Sequence, residues 1–264
     1  MIIDLTGKKV VITGSSGGIG FACAQLFAEA GADIVINGRT AETVGRALDT
    51  LRKQFPQRHI TGVAAELSGP EGPARIIQAE PECDILINNC AESNLQSVLD
   101  EPDEMFFRLF QINFLAGVRL TRQYLPRMLK KNWGRVIFHN SEQSLRPSPN
   151  MAAYGASKAA ELVFARSSAE YTRGTAVTVN SIIIGPTRSA VTTAMHERIA
   201  AETGKSVQEI ESEFFRNYRP ASLLQRLAEG REVANMGLYL SSDYASATNG
   251  AVLSVEGGVR EVIF

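Results

Sequence analysis

The sequence predicts one α/β domain with a doubly wound architecture, in which helices cover both faces of a parallel sheet of seven strands. Short apolar runs alternate with amphipathic helical patterns along the whole chain, as in repeated strand–helix–strand units. The runs are apolar throughout rather than alternating with polar residues, which is typical of strands buried on both faces. No linker rich in proline, serine or glycine divides residues 1–264, so we expect a single domain.

The first half of the chain starts with a strand and a helix separated by glycines. The β-branched run 8–13 predicts a buried strand, because it is short, apolar and ends at a turn signal. Apolar residues at helical spacing from Ile19 to Ala30 predict the helix, and Gly31 follows as a C-terminal cap residue would. The next predicted elements are a strand at 33–37, a helix at 44–55, a strand at 59–65, a helix at 73–79 and a strand at 84–88.

The second half continues the alternation. The predicted elements are a helix at 103–128, a strand at 135–140, a helix at 151–171, a strand at 177–183, a helix at 231–240 and a strand at 252–255. Residues 187–225 depart from the pattern, because they are helical, rich in charge and longer than an ordinary strand-to-helix connection. We interpret them as a lid that covers a substrate site; the alternative is a pair of solvated surface helices.

Composition and charge exclude several classes of protein. The chain has 27 Lys and Arg against 28 Asp and Glu, and its basic residues are dispersed, so nothing favours a nucleic-acid partner. Its three cysteines include no Cys-x-x-Cys and its histidines have no metal-ligand spacing, which argues against a disulfide scaffold and a metal site. There is no long apolar segment and no leader pattern, so we expect no membrane association and a cytoplasmic location.

Glycines occupy the junction between the first strand and the first helix, in the order Thr-Gly-x-x-x-Gly-x-Gly. Glycines at this junction allow a tight turn and let backbone N–H groups approach a pyrophosphate, which the helix N-terminus favours. The alternative is a purely structural turn, since short glycine patterns occur by chance. The candidate cofactor-binding residues are Gly14, Ser15, Ser16, Gly17, Gly18, Ile19 and Gly20.

The end of the second predicted strand indicates which dinucleotide is bound. A carboxylate about 20 residues beyond the glycines would hydrogen-bond the free ribose 2′-OH of NAD. The sequence has Asn37-Gly38-Arg39 there, with no carboxylate and one guanidinium, which suits a 2′-phosphate. We therefore expect NADP(H) in preference to NAD(H); a solvated surface arginine is the alternative.

Tyr154 and Lys158 lie four residues apart in a predicted helix, on one face. A nearby ammonium stabilises a phenolate, so we expect Lys158 to lower the pKa of Tyr154 and fit it for general acid–base chemistry. Tyrosine–lysine pairs at this spacing are common on helices, and most of them only pack against neighbours or face solvent. Ser141 adds weight, because it ends the fifth predicted strand, where open α/β sheets place ligand-binding groups.

Taken together, the glycine turn, Asn88-Asn89, Asn113, Ser141 and the Tyr154/Lys158 pair resemble the short-chain dehydrogenase/reductase family, in its order and spacing over essentially the whole chain. The resemblance implies a Rossmann-like fold. It also implies that Tyr154 is the catalytic acid/base, that Lys158 holds the nicotinamide ribose, that Ser141 binds the substrate oxygen and that Asn113 organises a water. It implies cofactor contacts at Glu66, Leu67, Asn89, Cys90, Ala91, Gly185 and Thr187, besides Tyr154 and Lys158.

Some positions depart from the family pattern. Ala91 replaces a glycine beside the cofactor, Ile184 stands before Gly185-Pro186 where Pro-Gly is usual, and Glu66 replaces an aspartate. Cys90 is interpreted as a small buried residue, with a redox-sensitive thiol as the alternative. The substrate candidates are Ser141, Gln143, Asn94 and Arg188.

These observations predict an NADP(H)-dependent oxidoreductase that interconverts a secondary alcohol and a ketone, with a small-molecule carbonyl or alcohol substrate. The alternative is a non-catalytic NADP(H)-binding regulator or scaffold on the same fold. The resemblance suggests a homo-oligomer, a tetramer or a dimer, with Ile263-Phe264 near a subunit contact.

Overall fold

The computed structural model describes residues 2–261, and they form the predicted seven-stranded parallel sheet with helices on both faces. The strand order is β3-β2-β1-β4-β5-β6-β7, and every neighbouring pair is parallel. The strands are β1 Lys9–Ile12, β2 Asp33–Gly38, β3 Ile60–Ala64, β4 Ile85–Asn88, β5 Gly134–Ser141, β6 Val177–Ile184 and β7 Val252–Val255.

Nine α-helices belong to the described part of the chain, residues 2–261. They are α1 Gly18–Glu29, α2 Ala41–Gln54, α3 Glu71–Ala79, α4 Asp103–Leu109, α5 Ala116–Lys131, α6 Ala152–Ala169, α7 Ala190–Thr203, α8 Val207–Tyr218 and α9 Gly230–Ser241. None of these helices combines the length and the hydrophobicity that crossing a bilayer requires.

Side chains of the central strands form an apolar core on each face of the sheet. Val10 and Ile12 of β1 pack with α1 and α2 on one face, whereas Val11 packs with α3 and α5 on the other. This explains why the strands are apolar throughout, as the sequence indicated. Because β1 pairs with β2 on one side and with β4 on the other, the connections leave its carboxyl end in opposite directions and open a crevice there.

The predicted helix at 103–128 is a continuous helical stretch that extends to Lys131, but it is not uniform. A π-helical turn at Phe110–Leu115 separates α4 from α5. This extra-wide turn contains Asn113, whose side chain is buried. π-Turns inside α-helices are often found at functional sites, and sequence periodicity gives no sign of them.

The 187–225 segment contains two helices, as its pattern predicted. Both α7 and α8 begin with a capping box, formed by Ser189 and Thr192 in α7 and by Ser206 and Glu209 in α8. A short parallel bridge joins Thr187 to Ala228, so the two ends of the segment lie close together. The predicted subunit-contact residues Ile263-Phe264 lie outside the described residues.

Asn37, the penultimate residue of β2, connects three strand ends at the crevice. Its buried side chain accepts a hydrogen bond from the Gly14 amide at 3.1 Å and donates to the carbonyls of Val63 and Ala65 at 3.1 and 3.0 Å. Its own amide donates to the Ser15 hydroxyl at 2.9 Å. The Asn37 side chain therefore fixes the glycine turn relative to β3. An apolar side chain of similar size could not form these hydrogen bonds.

We predict that Asn37→Ala lowers the free energy of unfolding by about 2–4 kcal/mol, because it leaves a buried amide and two buried carbonyls without their partner. Chemical denaturation of both proteins measures the difference. Asn150→Ala, at an exposed loop position, is the matched control and should change the value by less than about 0.5 kcal/mol. A loss equal to that of the control would contradict the proposed role of Asn37.

Candidate active site

The glycine turn leads from β1 into α1, and its backbone requires glycine at specific positions. Gly14 has φ +61°, and a Cβ there would lie 2.9 Å from the Cα of Cys90. Gly18 has φ +56°, and the space that a Cβ would take at Gly17 or Gly18 is open. The turn therefore packs tightly on one side and leaves the first amides of α1 accessible on the other, which is the shape that an anion at a helix N-terminus needs.

Two predicted cofactor residues brace this turn. The Ser15 hydroxyl is buried and donates to the Ile12 carbonyl at 2.7 Å, so it points into the fold. The Asn89 side chain donates to the carbonyls of Thr13 and Gly14 at 2.9 and 3.0 Å. The Thr13 hydroxyl in turn accepts hydrogen bonds from the amides of Asn89 and Cys90. These bonds connect the carboxyl ends of β1 and β4 directly.

Arg39 follows β2 at the same edge of the sheet and is exposed, with no ion pair among residues 2–261. Nearby, the Arg108 guanidinium forms a two-pronged ion pair with Glu92. That contact holds the pKa of Glu92 below its ordinary value, and Arg39 contributes to the effect. The Glu92 carboxylate is thus paired with Arg108, and the Arg39 guanidinium stays available.

The other predicted cofactor residues differ in their surroundings. Glu66 and Ala91 are exposed, whereas the side chain of Leu67 is buried in the core, so only its backbone faces the crevice edge. Gly185 packs closely on Glu256. A Cβ at position 185 would lie 2.7 Å from the Cα of Glu256, so only glycine fits at position 185. The Thr187 hydroxyl donates to the Gly185 carbonyl at 2.9 Å and holds the loop after β6.

Ser141, Tyr154 and Lys158 come together beside the carboxyl end of β5. Ser141 is the last residue of β5, and Tyr154 and Lys158 lie in the first half of α6. The Ser141 side chain lies close enough to the Tyr154 phenol to affect its pKa. Gly155, which follows the tyrosine, has no room for a Cβ because the Gln143 carbonyl would be 2.8 Å away, so α6 lies directly against the loop that follows Ser141.

The pKa of Tyr154 does not move as the sequence predicted. Burial raises it above its ordinary value of 10.0, and this outweighs Lys158 and the Ser141 side chain, which both lower it. The expected influence of Lys158 therefore exists, but the net prediction of a lowered pKa is wrong for the protein without ligands. The physical reason is desolvation, which penalises the phenolate. Tyr154 is consequently a protonated phenol at neutral pH, ready to donate.

Lys158 is fully buried, and its ammonium has two protein acceptors. It donates to a carboxylate oxygen of Glu161 at 2.8 Å and to the His139 carbonyl at 2.9 Å. Burial alone lowers the pKa of Lys158, but Glu161, assisted by Tyr154, raises it above its ordinary value. The ammonium thus remains charged in a buried position beside Tyr154.

Glu161 is a buried acid in this site that sequence reasoning missed. Its side chain is 2% exposed, and besides Lys158 it accepts a hydrogen bond from Asn140 at 3.1 Å. Burial raises the pKa of Glu161 to about 7, against the opposing effect of Lys158. One signal was available: Glu161 follows Lys158 by three residues and so shares its helix face, which turns inward.

His139 was also missed, and it connects the lysine to the glycine turn. Its carbonyl accepts the Lys158 hydrogen bond, while its ring Nδ1 lies 2.9 Å from the side-chain oxygen of Asn89. Burial, with Lys158 adding to it, lowers the pKa of His139 to about 3, so the imidazole is neutral. A neutral ring whose Nδ1 carries the proton donates to Asn89, which itself holds the turn.

Asn113 is placed next to this group by α6. Its side-chain amide donates to the Ser157 hydroxyl at 2.9 Å and to the Glu92 carbonyl at 2.9 Å, and its oxygen accepts from the Glu92 amide. It is therefore fixed beside the residue that precedes Lys158. The structure brings all four predicted catalytic residues into one region.

The predicted substrate residues do not share one environment. Gln143 is buried and lines a cavity next to Ser141. Asn94 donates to Glu101 at 2.6 Å in the loop after β4. The Arg188 guanidinium binds Glu211 and Glu229, so its charge is already paired within the 187–225 region and its flank. Of these three, Gln143 has the position that a substrate contact requires.

Cys90 packs against the core, and burial raises the pKa of its thiol to about 11. Since the thiolate is the reactive form, this partly buried environment favours a packing role over the redox-sensitive alternative.

Comparison with known proteins places the chain among oxidoreductases. The family model for short chain dehydrogenases matches residues 8–200. The uncharacterized oxidoreductase YvaG of Bacillus subtilis (strain 168) is 41% identical over 264 residues, covering 100% of both chains. L-sorbose reductase from Gluconobacter frateurii, solved with NADPH and L-sorbose, has a TM-score of 0.93 at 26% identity over the full length of both chains. An NADPH-bound short chain oxidoreductase from Pseudomonas aeruginosa PAO1 with an atypical catalytic center has a TM-score of 0.88 at 26% identity, covering 98% and 99% of the two chains.

We predict that the Lys158–Glu161 pair is strongly coupled in stability. Glu161→Ala should lower the free energy of unfolding by about 3–5 kcal/mol, because it leaves the Lys158 ammonium buried without its carboxylate. The double variant Lys158→Met/Glu161→Leu should recover most of that loss, because it removes both charges and fills the space. Urea denaturation of the single and double variants measures both values.

Glu170→Ala is the control for this comparison, because Glu170 forms exposed ion pairs near the end of the same helix. It should cost less than about 1 kcal/mol. Losses that simply add in the Lys158/Glu161 double variant would show that the two side chains act independently and would contradict the prediction.

Proposed function

This chain belongs to the short-chain dehydrogenase/reductase family, and from that membership we propose that it is an NADP(H)-dependent enzyme that interconverts a ketone and a secondary alcohol. The observation that supports this most directly is the half-buried Tyr154 phenol, which lies beside the Ser141 side chain and the Lys158 ammonium at the carboxyl edge of the sheet. A hydroxyl pair beside a fixed positive charge suits proton transfer to a carbonyl oxygen, where negative charge develops during reduction.

Each residue has a separate role in this proposal. Tyr154 donates its proton to the substrate oxygen, for which a phenol that stays protonated at neutral pH is suited. The Ser141 hydroxyl orients that oxygen, since it lies beside the phenol and is itself held by the Gln143 amide at 3.2 Å. The Lys158 ammonium stabilises the phenolate that remains after the proton has left. Asn113, fixed through Ser157, orders the water through which the proton is replaced.

The residues at the crevice fit a dinucleotide. Open space at Gly17 and Gly18 admits a pyrophosphate to the first amides of α1, and the turn behind it is braced by Asn37 and Asn89. Lys158 retains hydrogen-bonding capacity for a ribose hydroxyl, because an ammonium has three donors and two are used. When bound, NADPH supplies the hydride that reduces the carbonyl carbon.

The preference for NADP(H) over NAD(H) rests on Arg39. Its exposed guanidinium follows β2, the strand whose end faces the adenosine ribose in such folds, and no carboxylate pairs with it among residues 2–261. Two similar solved structures contain NADPH, which supports the proposal. A guanidinium binds a phosphate through two parallel hydrogen bonds, whereas a free 2′-OH gains much less from it.

We also propose that residues 187–225 close over the substrate within this single domain. Arg188 holds the segment to its flank through Glu211 and Glu229, while Arg219 at its far end reaches Glu142 beside Ser141. The segment thus contacts the substrate side of the site through the Arg219–Glu142 ion pair. A homo-oligomer is an expectation of the family resemblance, and a cytoplasmic location is an expectation of the sequence pattern.

Tyr154→Phe should lower kcat for ketone reduction by about 10²–10⁴-fold, because the ring is kept and the proton donor is lost. NADPH oxidation followed by absorbance measures the rate, and NADPH affinity from fluorescence titration should change by less than about threefold. Tyr171→Phe, at an exposed position after α6, is the matched control. Turnover that survives Tyr154→Phe would refute the assigned acid; tight NADPH binding without turnover on any carbonyl would favour the non-catalytic alternative.

Arg39→Ala should raise the Kd for NADPH by about 10–100-fold and the Kd for NADH by less than about threefold, because only NADPH carries the phosphate that the guanidinium binds. Fluorescence titration with both cofactors measures the two constants. Arg46→Ala in α2 removes another exposed guanidinium and should leave both constants unchanged. Equal losses for the two cofactors would rule out the 2′-phosphate role.

A further inference from the structure

A cavity of about 190 Å³ lies next to the proposed catalytic group. Its walls are polar, and the residues that matter for its chemistry are Glu142, Gln143, Arg146, Ser148, Tyr218 and Arg219. Glu142 and Gln143 directly follow Ser141, and the Gln143 amide donates to the Ser141 hydroxyl at 3.2 Å. The cavity therefore adjoins the site where the carbonyl would react.

One carboxylate oxygen of Glu142 accepts several hydrogen bonds, and the other accepts none within residues 2–261. Oε1 accepts hydrogen bonds from Arg219 at 3.1 and 2.9 Å and from Gln143 at 3.0 Å. Oε2 has no hydrogen-bond partner in the part of the chain from 2 to 261. The three bonds to Oε1 fix the carboxylate, so that Oε2 is a rigidly oriented acceptor in the cavity wall. An acceptor of this kind is suited to a hydroxyl donor.

The volume and charge of the cavity favour a small polar ligand. At about 190 Å³ it is smaller than the ~300–1,000 Å³ of sites that enclose large apolar ligands, so it does not enclose a steroid or a long acyl chain. An apolar group would also remove water from the Glu142–Arg219 pair without replacing its hydrogen bonds.

The cavity also has little to attract a carboxylate substrate, because its two arginines already have partners. Arg219 is already bound to Glu142, and Arg146 donates to the Val259 carbonyl at 2.8 Å with Glu261 at 3.8 Å. The open oxygen of Glu142 repels an anion. The balanced charges and the fixed acceptor favour a neutral molecule with several hydroxyl groups.

We propose that this enzyme reduces a small neutral polyhydroxy ketone, and that Glu142, held by Arg219, accepts a hydrogen bond from a substrate hydroxyl next to the reacting carbonyl. This assignment rests on the function proposed above. The carbonyl carbon accepts a hydride from NADPH and the oxygen accepts a proton from Tyr154, so the products are the polyol and NADP⁺. Arg219 belongs to the 187–225 segment, and that segment therefore supplies part of the hydroxyl site.

The first test compares substrates with the unaltered protein. NADPH oxidation is measured with L-erythrulose, with butanone, which has the same carbon skeleton without the hydroxyls, with acetoacetate and with a steroid ketone. We expect kcat/KM for L-erythrulose to exceed that for butanone by about 100-fold or more, because a site built for hydroxyls disfavours a molecule that lacks them. Higher kcat/KM for butanone, acetoacetate or the steroid would overturn the substrate class and leave the proposed reaction intact.

The second test uses Glu142→Gln, which keeps an acceptor for Arg219 but removes the charge. KM for L-erythrulose should rise by about 10–100-fold while kcat changes by less than about threefold, and the effect should be at least about tenfold smaller with butanone. Glu170→Gln is the matched surface control. An equal effect on both substrates would overturn the role of Glu142 as a hydroxyl acceptor.

A binding measurement separates this inference from the proposed function. Erythritol, which does not need to react, is titrated into the protein and into Glu142→Gln, and binding is followed by NMR. The Kd should rise by about 10–100-fold in the variant. If no carbonyl is reduced but erythritol binding still depends on Glu142, the proposed reaction fails and the hydroxyl site stands. Erythritol binding that is absent, or the same in both proteins, overturns the hydroxyl site whatever the activity.

Discussion

The buried ammonium group of Lys158 is the constraint on which the rest of the site depends. A charge with 1% exposure is tolerated only if fixed acceptors surround it, and the fold supplies Glu161 and the His139 carbonyl. The His139 ring then contacts Asn89, and Asn89 holds the carbonyls of the glycine turn. One line of hydrogen bonds thus runs from the helix that carries Tyr154 to the turn where α1 begins, across the ends of β5 and β4.

The parallel sheet could be predicted because its signals are local. Each strand is a short, mostly apolar run, and the pattern agrees best with burial in β4, β5 and β6, every residue of which is buried, whereas the edge strand β7 is partly exposed. The glycine turn and the Tyr154/Lys158 pair could be predicted for the same reason, since their spacing lies within a few residues. The π-helical turn around Asn113 could not, because it depends on how α4 and α5 pack rather than on any residue type.

Contacts between distant parts of the chain were beyond sequence reasoning. Glu161 and Asn140 meet only because α6 lies on β5, and Arg219 meets Glu142 across 77 positions of the chain. The pKa of Tyr154 illustrates the same limit. A neighbouring lysine can be seen in the sequence, but the depth of burial, which reverses the direction of the shift, belongs to the folded molecule. Which effect prevails is therefore a property of tertiary structure.

The catalytic residues and the residues that line the cavity belong to different elements of the fold, and this separation has an evolutionary consequence. Tyr154, Lys158 and Glu161 are carried by one rigid helix, whereas Glu142, Arg146 and Arg219 belong to loops and to the end of α8. Substitutions in the loops can alter which molecules are accepted without disturbing the proton donor or its supporting charges. Related chains with this fold can therefore differ in substrate while retaining one reaction.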